Sequence, residues 1–243
     1  MLSQCLFLCF CFVVGTYSHA TDNLVPFIEK CVWNDQACLV ASTNKAIPYF
    51  AKGLPEFGLE PMDPLKMNKV TLAEGELKVV FTKMDVTGTS KCNVLKVKRD
   101  IKKNSLKIVA ECPIDVIGHY DASGKLLFVP IEGNGAFRVN CQLIRIEVLV
   151  DLNAVAGPDG VSYWKIGKAS HSYEAKEKCT FDFKNLFNGD KEKAQPILDV
   201  FDAAWKEIME SIGKPIVDKV IDEIVDHVQT FCSKVPANQL EKQ

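Results

Sequence analysis

The chain has 243 residues, 29 Lys and Arg against 31 Asp and Glu for a formal charge of −2, and 47% hydrophobic residues. That length supports a sizeable core, and the interspersed charges argue against a nucleic-acid partner. No stretch of about 20 apolar residues free of charge occurs, so a membrane-spanning helix is not expected.

The first twenty residues, MLSQCLFLCFCFVVGTYSHA, hold no Lys, Arg, Asp or Glu, carry an apolar run from Cys5 to Val14, and end in Ser18-His19-Ala20. This pattern predicts a secretory signal over residues 1–20 and a single exported domain over 21–243. Cys31, Cys38, Cys92, Cys112, Cys141, Cys179 and Cys232 then lie in an oxidising route where disulfides persist. Their odd number leaves one unpaired, and Cys232 near the chain end is the expected free thiol. The spacing in "KCVWNDQAC" (30–38) is too long for a redox Cys-x-x-Cys and has no second ligand pair for a metal, so Cys31 and Cys38 are read as a local staple.

After Cys38, residues Leu39, Val40, Ala41, Ala46, Ile47, Tyr49 and Phe50 fit one helical face, with Asn34 or Asp35 as N-cap, Gly53 as the stop and a bend at Pro48. The prolines of "GLPEFGLEPMDPLKM" (53–67) predict an irregular connection.

From Lys69 to about Phe183 the apolar period becomes two: Leu77, Val79, Phe81; Leu95, Val97, Ile101; Leu106, Ile108, Ala110; and Ile144, Ile146, Val148, Val150, Leu152. Turn signals at "KKNS" (102–105), "DASG" (121–124), "EGNG" (132–135) and "GPDG" (157–160) predict a long antiparallel meander without crossover helices. "KVKRDIKK" (96–103) reads as a solvated hairpin, its apolar residues alternating with charge. Cys141 and Cys179 lie at nearly equal distances from "GPDG" and can bridge neighbouring strands. Cys92 and Cys112 flank "KKNS" likewise, but strand parity places them on opposite faces unless a bulge intervenes. Six paired cysteines allow fifteen connectivities, so only Cys31 with Cys38 is firm at this point.

From about Lys191 to Ser233 the apolar residues Ile197, Phe201, Trp205, Ile208, Ile212, Ile216, Val220, Ile224, Val228 and Phe231 step by three or four, predicting one helix roughly 60 Å long that bends at "GKP" (213–215). Only the sheet offers an apolar surface long enough to cover that stripe, so it must curl lengthwise around the helix.

Chemistry-bearing motifs are sparse. There is no Gly-x-Ser-x-Gly, His-Glu-x-x-His or Walker loop, and "GNGAF" (133–137) reads as a tight turn rather than a phosphate loop. His119, His171 and His227 are far apart in sequence and are read as structural. No enzyme, cofactor or metal is implied.

In order and spacing, "PFIEKC" (26–31), "DQACL" (35–39), "GLPEFGLEPMDPLKM", "DASGKLLFVPIEGNGAF" (121–137), "NLFNGD" (185–190), "DAAWKEI" (202–208) and "KVP" (234–236) make the chain similar to the insect Takeout and juvenile hormone-binding proteins of the tubular lipid-binding superfamily. The resemblance implies an α+β fold in which a long bent C-terminal helix, wrapped by a highly curved antiparallel sheet and joined by a short N-terminal helix, encloses an elongated hydrophobic tunnel. It implies a secreted monomeric carrier, in haemolymph or another extracellular fluid, of a juvenile hormone-like terpenoid, fatty acid or other lipid. Trp33, Phe50, Phe81, Phe128, Phe137, Ile144, Val148, Trp164, Phe201, Trp205, Ile208 and Ile212 become candidate walls of the tunnel, and Tyr120, Tyr163 and His171 candidate polar anchors.

Two departures separate the chain from the hormone carriers of that family. Those carriers tie a cysteine matching Cys179 to one on the long helix, and residues 191–231 hold none. They also place a tyrosine hydroxyl on the strand matching Ile144 to Leu152, which holds no Tyr. The resemblance therefore points to a Takeout-type ligand. Two alternatives on the same fold remain open: a lipid-transfer protein using an exposed basic rim at Lys96, Lys98, Arg99, Lys102 and Lys103 against membranes or lipopolysaccharide, and a signalling protein whose tunnel is filled by its own side chains.

Overall fold

The computed structural model describes residues 23–126 and 129–242. The expected signal segment and Phe128 lie outside the described residues. Helix α1 spans Gln36–Lys52 and begins where Asp35 Oδ1 accepts the Cys38 N–H at 3.0 Å. Gly53, at φ 85°, ends it. Its buried face differs from the expected one: Ser42, Ala46 and Ala51 point inward, whereas Ala41 and Tyr49 are exposed. The reason is that Ser42 is held inward by both ends of a backbone pair, donating to the Glu29 carbonyl at 2.8 Å and accepting the Glu29 N–H at 3.0 Å.

Seven antiparallel strands form one sheet: β1 (Leu65–Glu74), β2 (Leu77–Thr87), β3 (Asn93–Asp100), β4 (Ser105–Leu126), β5 (Val129–Ala156), β6 (Ser162–Ala175) and β7 (Cys179–Phe183). Strands β4 and β5 pair along their length, from Leu126 opposite Val129 to Ser105 opposite Asp151. They form a spine. Strands β2 and β3 share the outer edge of β4, and β6 and β7 share the outer edge of β5.

Two expected turns are corrected by this spine. "DASG" lies inside β4 and "EGNG" inside β5, so "GNGAF" is strand and not a tight turn. Their glycines admit close backbone neighbours instead. A Cβ on Gly124, which sits at φ +109°, would stand 1.8 Å from the Glu76 carbonyl oxygen, and one on Gly135 would stand 2.4 Å from that of Lys184. At about 3.3 Å per residue the 28 residues of β5 would extend about 90 Å if straight, roughly twice the diameter of a domain this size. The strand must curl. Register shifts at Thr82/Asp85, Val94/Lys96, Cys112/Ile114 and Val150/Leu152 supply bends and extra twist.

The shift at Val94/Lys96 has two local effects. It turns Leu95 outward, 41% exposed, and so breaks the expected Leu95-Val97-Ile101 face, on which Val97 alone is buried; Ile101 is in the exposed turn. It also resolves the parity problem at Cys92 and Cys112, which are disulfide-bonded with Cα atoms 4.2 Å apart. Asn44 of α1 then docks on this part of β3, its amide bonding the Val94 carbonyl and N–H at 3.0 and 2.8 Å.

The C-terminal helical run breaks once, at Ala204, and the long helix that follows, from Trp205 to Cys232, carries a π turn that ends at the "GKP" where a bend was expected. Helix α2 (Lys191–Ala203) stops at Ala204, whose φ/ψ of −106°/36° is not helical. A short helix α3 (Trp205–Ile208) then leads into a π turn (Met209–Gly213) and into α4 (Lys214–Cys232), and Ala237–Leu240 forms a last turn, α5. Pro215 in the first turn of α4 has no N–H for the Ser211 carbonyl, and the wider π turn accommodates that loss. The apolar stripe is buried as expected at Ile197, Phe201, Ile208, Ile212, Ile216 and Val220, packed against Val70, Leu72, Leu77, Val79, Phe81 and Val116 of the sheet. No helix among the described residues is long and apolar enough to cross a membrane.

Helix α4 is tied to β6 by a polar clasp. His171 Nε2 lies 2.9 Å from Asp218 Oδ1, and Lys214 Nζ donates to Asp218 Oδ2 at 2.6 Å. Burial pushes the Asp218 carboxyl up, but the hydrogen bonds from Lys214 and His171 outweigh it and hold the carboxyl below its ordinary value. A depressed carboxyl stabilises the fold above its unfolded-state pKa, and that contribution is lost as pH falls through the folded-state value.

Two tests follow from this architecture. Gly135→Ala forces backbone apart at the β5 approach and lowers stability by about 1–3 kcal/mol, whereas Gly160→Ala at the open "GPDG" turn, where a Cβ meets nothing within 4 Å, bears only the strain of its φ of +74°, about 1 kcal/mol; denaturant unfolding of the pair checks the difference. Asp218→Asn flattens the fall in melting temperature below about pH 4 and speeds amide exchange along β6 at neutral pH.

Candidate functional site

Apolar interior space follows the C-terminal helices as three cavities. Around α2 and the π turn, Leu77, Val79, Tyr120, Ile131, Leu186 and Phe201 line a small cavity, about 350 Å³ with adjoining open space included. A slot of about 700 Å³ continues past Ile114, Val116, Ile144, Ile146, Met209 and Val217, sharing Phe81, Phe183 and Ile212 with the first. Beyond Ile221 the main cavity opens, about 1620 Å³ with its mouth included, between α1, the inner face of β3 to β6 and the last turns of α4.

The main cavity is built from elements that end near one another. Ala46, Ile47 and Phe50 come from α1, Leu106, Ile108, Val150 and Leu152 from the spine strands, Trp164 and Ile166 from β6, and Ile224, Val228 and Phe231 from α4. Its wall at α1 is braced by the Cys31–Cys38 disulfide and by the chain end, where Lys242 N–H bonds the Cys31 carbonyl at 3.0 Å. Phe231 is gripped by Phe50 and Phe57 with ring centroids at 5.0 and 5.2 Å. A third disulfide, Cys141–Cys179, joins β5 to β7 beside the slot. Cys232 is the free cysteine among the described residues and is buried, and that burial pushes its thiol up to about 12.

Three predicted wall residues, Trp33, Phe50 and Trp164, line the main cavity. Phe81, Ile144, Phe201 and Ile212 line the smaller two. Phe137 packs behind Phe81 with centroids 5.0 Å apart, and Ile208 is buried in the same core. Val148 lies on β5 between Ile146 of the slot and Val150 of the main cavity, half-buried, and Trp205 packs beside Met209 under the Lys206 ammonium.

The three predicted anchors have other partners. Tyr120 reaches the first cavity, but its hydroxyl donates to the Lys184 carbonyl at 2.8 Å, and burial pushes the phenol up to about 12. Tyr163 donates outward to Asp159 at 2.8 Å, whose carboxylate holds the phenol above its ordinary value. His171 belongs to the Asp218 clasp.

Arg99 is a further correction. Expected on an exposed basic rim, it is 9% exposed and lines the main cavity, leaving Lys96, Lys98, Lys102 and Lys103 outside. Its guanidinium lies 5.1 Å over the Trp164 ring and donates to the carbonyls of Asp100, Ser105 and Leu152 at 3.1, 3.0 and 3.1 Å. The available signal was strand parity: Arg99 follows the inward Val97 by two residues. Leu106, Ile108, Val150 and Leu152 also lay in the period-two pattern, and Val228 and Phe231 on the helical stripe, without being singled out as walls.

Glu29 and Glu241 are the other charged residues at the main cavity. Burial pushes the Glu241 carboxyl up, with Arg99 acting in the opposite direction. The same burial holds Arg99 below the ordinary guanidinium value, against the charges of Glu241 and Asp100.

The chain is similar to known proteins in structure and in sequence. The crystal structure of Epiphyas postvittana Takeout 1 superposes with a TM-score of 0.86 at 29% identity, covering 89% of this chain and 100% of that one. The circadian clock-controlled protein daywake of Drosophila melanogaster is 23% identical over 232 residues, 90% of this chain and 89% of the relative. A putative beta-carotene-binding protein of Schistocerca gregaria is 27% identical over 155 residues, 63% of this chain and 62% of the relative. Residues 5–242 match the family described as haemolymph juvenile hormone binding protein, and the chain belongs to that family of hydrophobic-ligand carriers.

Proposed function

We propose that this protein is a secreted, non-enzymatic, monomeric carrier that holds one hydrophobic small molecule in the main cavity. The observation that carries this reading is the cavity itself: about 1620 Å³ with its open mouth included, walled by aliphatic and aromatic side chains of α1, the spine strands, β6 and α4. Sites for lipophilic ligands are concave, mostly apolar and furnished with few polar groups. Transfer of ligand surface from water at about 25 cal/mol per Å² supplies the driving force.

Release needs one wall to open. Helix α1 is held through Asn44 on β3, the Ser42 pair with Glu29 and the Cys31–Cys38 staple, and we take it as the moving wall. The three disulfides fit an exported chain. A role at anionic membranes has less support, because Arg99 is withdrawn from the basic rim.

Ala46→Phe places a ring in the cavity from the buried face of α1. It lowers affinity for a neutral fluorescent probe, N-phenyl-1-naphthylamine, by about tenfold or more while melting temperature changes by a few degrees. Probe binding equal to that of the parent protein would place the ligand elsewhere. The double variant Cys31→Ser with Cys38→Ser is expected to speed probe dissociation in stopped flow more than it lowers the melting temperature; an unchanged off-rate would remove α1 as the moving wall.

A further inference from the structure

We propose that the main cavity ends at a partition one side chain thick, formed by Val148 of β5 and Ile221 of α4, and that this partition sets the longest chain the cavity accepts. This rests on the carrier reading and names the residues that select ligand length at the same site.

The spaces on either side define the partition. On β5 the slot ends at Ile146 and the main cavity begins at Val150; on α4 the slot ends at Ile221 and the main cavity begins at Ile224. No described residue lines both. Along the inner face of β5 only Val148 falls between Ile146 and Val150, a gap of about 13 Å at 3.3 Å per residue. Val148 is half-buried and lines neither space. On α4 the step from Ile221 to Ile224 is less than one turn, about 4.5 Å. Ile221, only 2% exposed, is the last residue of the slot wall on that helix.

The polar clasp fixes α4 at this level. His171 stands opposite Val148 in the β5–β6 register, and its Nε2 reaches Asp218, three residues before Ile221. Residues three apart on a helix are neighbours, so Val148 and Ile221 are brought to the same level of the interior. Ordinary core packing does not account for such a layer. Interiors close up against their neighbours, and a layer with open space on both sides forfeits contacts on both. A chain lying along α4 in the main cavity meets this layer end-on. Truncating either side chain joins the cavity to the slot, whose walls at Ile114, Val116, Ile146 and Val217 are apolar and suited to further methylenes.

The test is a series of n-alkanols from octanol to octadecanol, their free concentrations held with cyclodextrin, displacing N-phenyl-1-naphthylamine from the delipidated full chain. Each buried methylene should tighten binding about fourfold up to a limiting length, beyond which the gain stops. Val148→Ala and Ile221→Ala should each carry the fourfold climb about two or more methylenes further. Adding Val217→Phe, which fills the slot, should return the Val148→Ala protein to the parental limit. A parental climb unbroken to octadecanol overturns the partition but leaves the carrier reading intact. So does a limit that stays in place in a truncated variant that folds, or a longer limit that Val217→Phe does not shorten. Failure of the probe and of every alkanol to bind the parent protein overturns the carrier reading itself. Ile221→Ala empties a fully buried position; if that variant does not fold, Val148→Ala, at a half-buried position, decides alone.

Discussion

The structure depends on one constraint: an apolar stripe running from Ile197 to Phe231 must be shielded from water by something equally long. No other helix in the described chain matches that length, so the sheet has to do it. A sheet of short hairpins would leave loops over the stripe, with backbone polar groups facing apolar side chains. Two continuous spine strands, β4 and β5, solve this by pairing with each other over most of their length and with flanking strands along much of their outer edges. Length along the helix then becomes curvature across it.

The cavities are a consequence of the same solution. A curled sheet is wider than the helix it surrounds, and the break at Ala204 and the π turn keep the helical run from filling the space evenly. Phe81, Phe137, Phe183 and Phe201 fill it near α2, where each ring meets the next and the core is dense. At the other end small residues, Ser42 and Ala46, face Ile224 and Val228, and the main cavity remains. A folded chain that leaves so much apolar wall facing open space forfeits packing contacts there. An occupant of matching shape would restore them, which links the fold to the carrier reading.

Period was the part of the fold most legible in sequence. Apolar alternation located the inner sheet face, and steps of three and four located the helical stripe, because both patterns report directly which side of an element avoids water. Glycine was the misleading signal. At "DASG" and "EGNG" it marks close backbone approach inside strands, and sequence alone does not distinguish that from a turn, since both need a missing side chain. Bulges were equally invisible: one at Val94/Lys96 turned Leu95 outward and allowed Cys92 to meet Cys112. Polar anchors were the least legible. Tyr120, Tyr163 and His171 were chosen by residue type, but each has a protein partner that only tertiary structure supplies, whereas Arg99 was assigned outward on charge although its parity with Val97 pointed inward.

The central claim is that the main cavity exists to be occupied. Native mass spectrometry of the protein isolated from its own source, without detergent or organic solvent, tests it most directly. The account predicts a complex of one chain with one lipophilic molecule, released as a single compound or a narrow set on collisional activation. A bare chain at its own mass, with no lipid recovered from the same sample by solvent extraction, would contradict it.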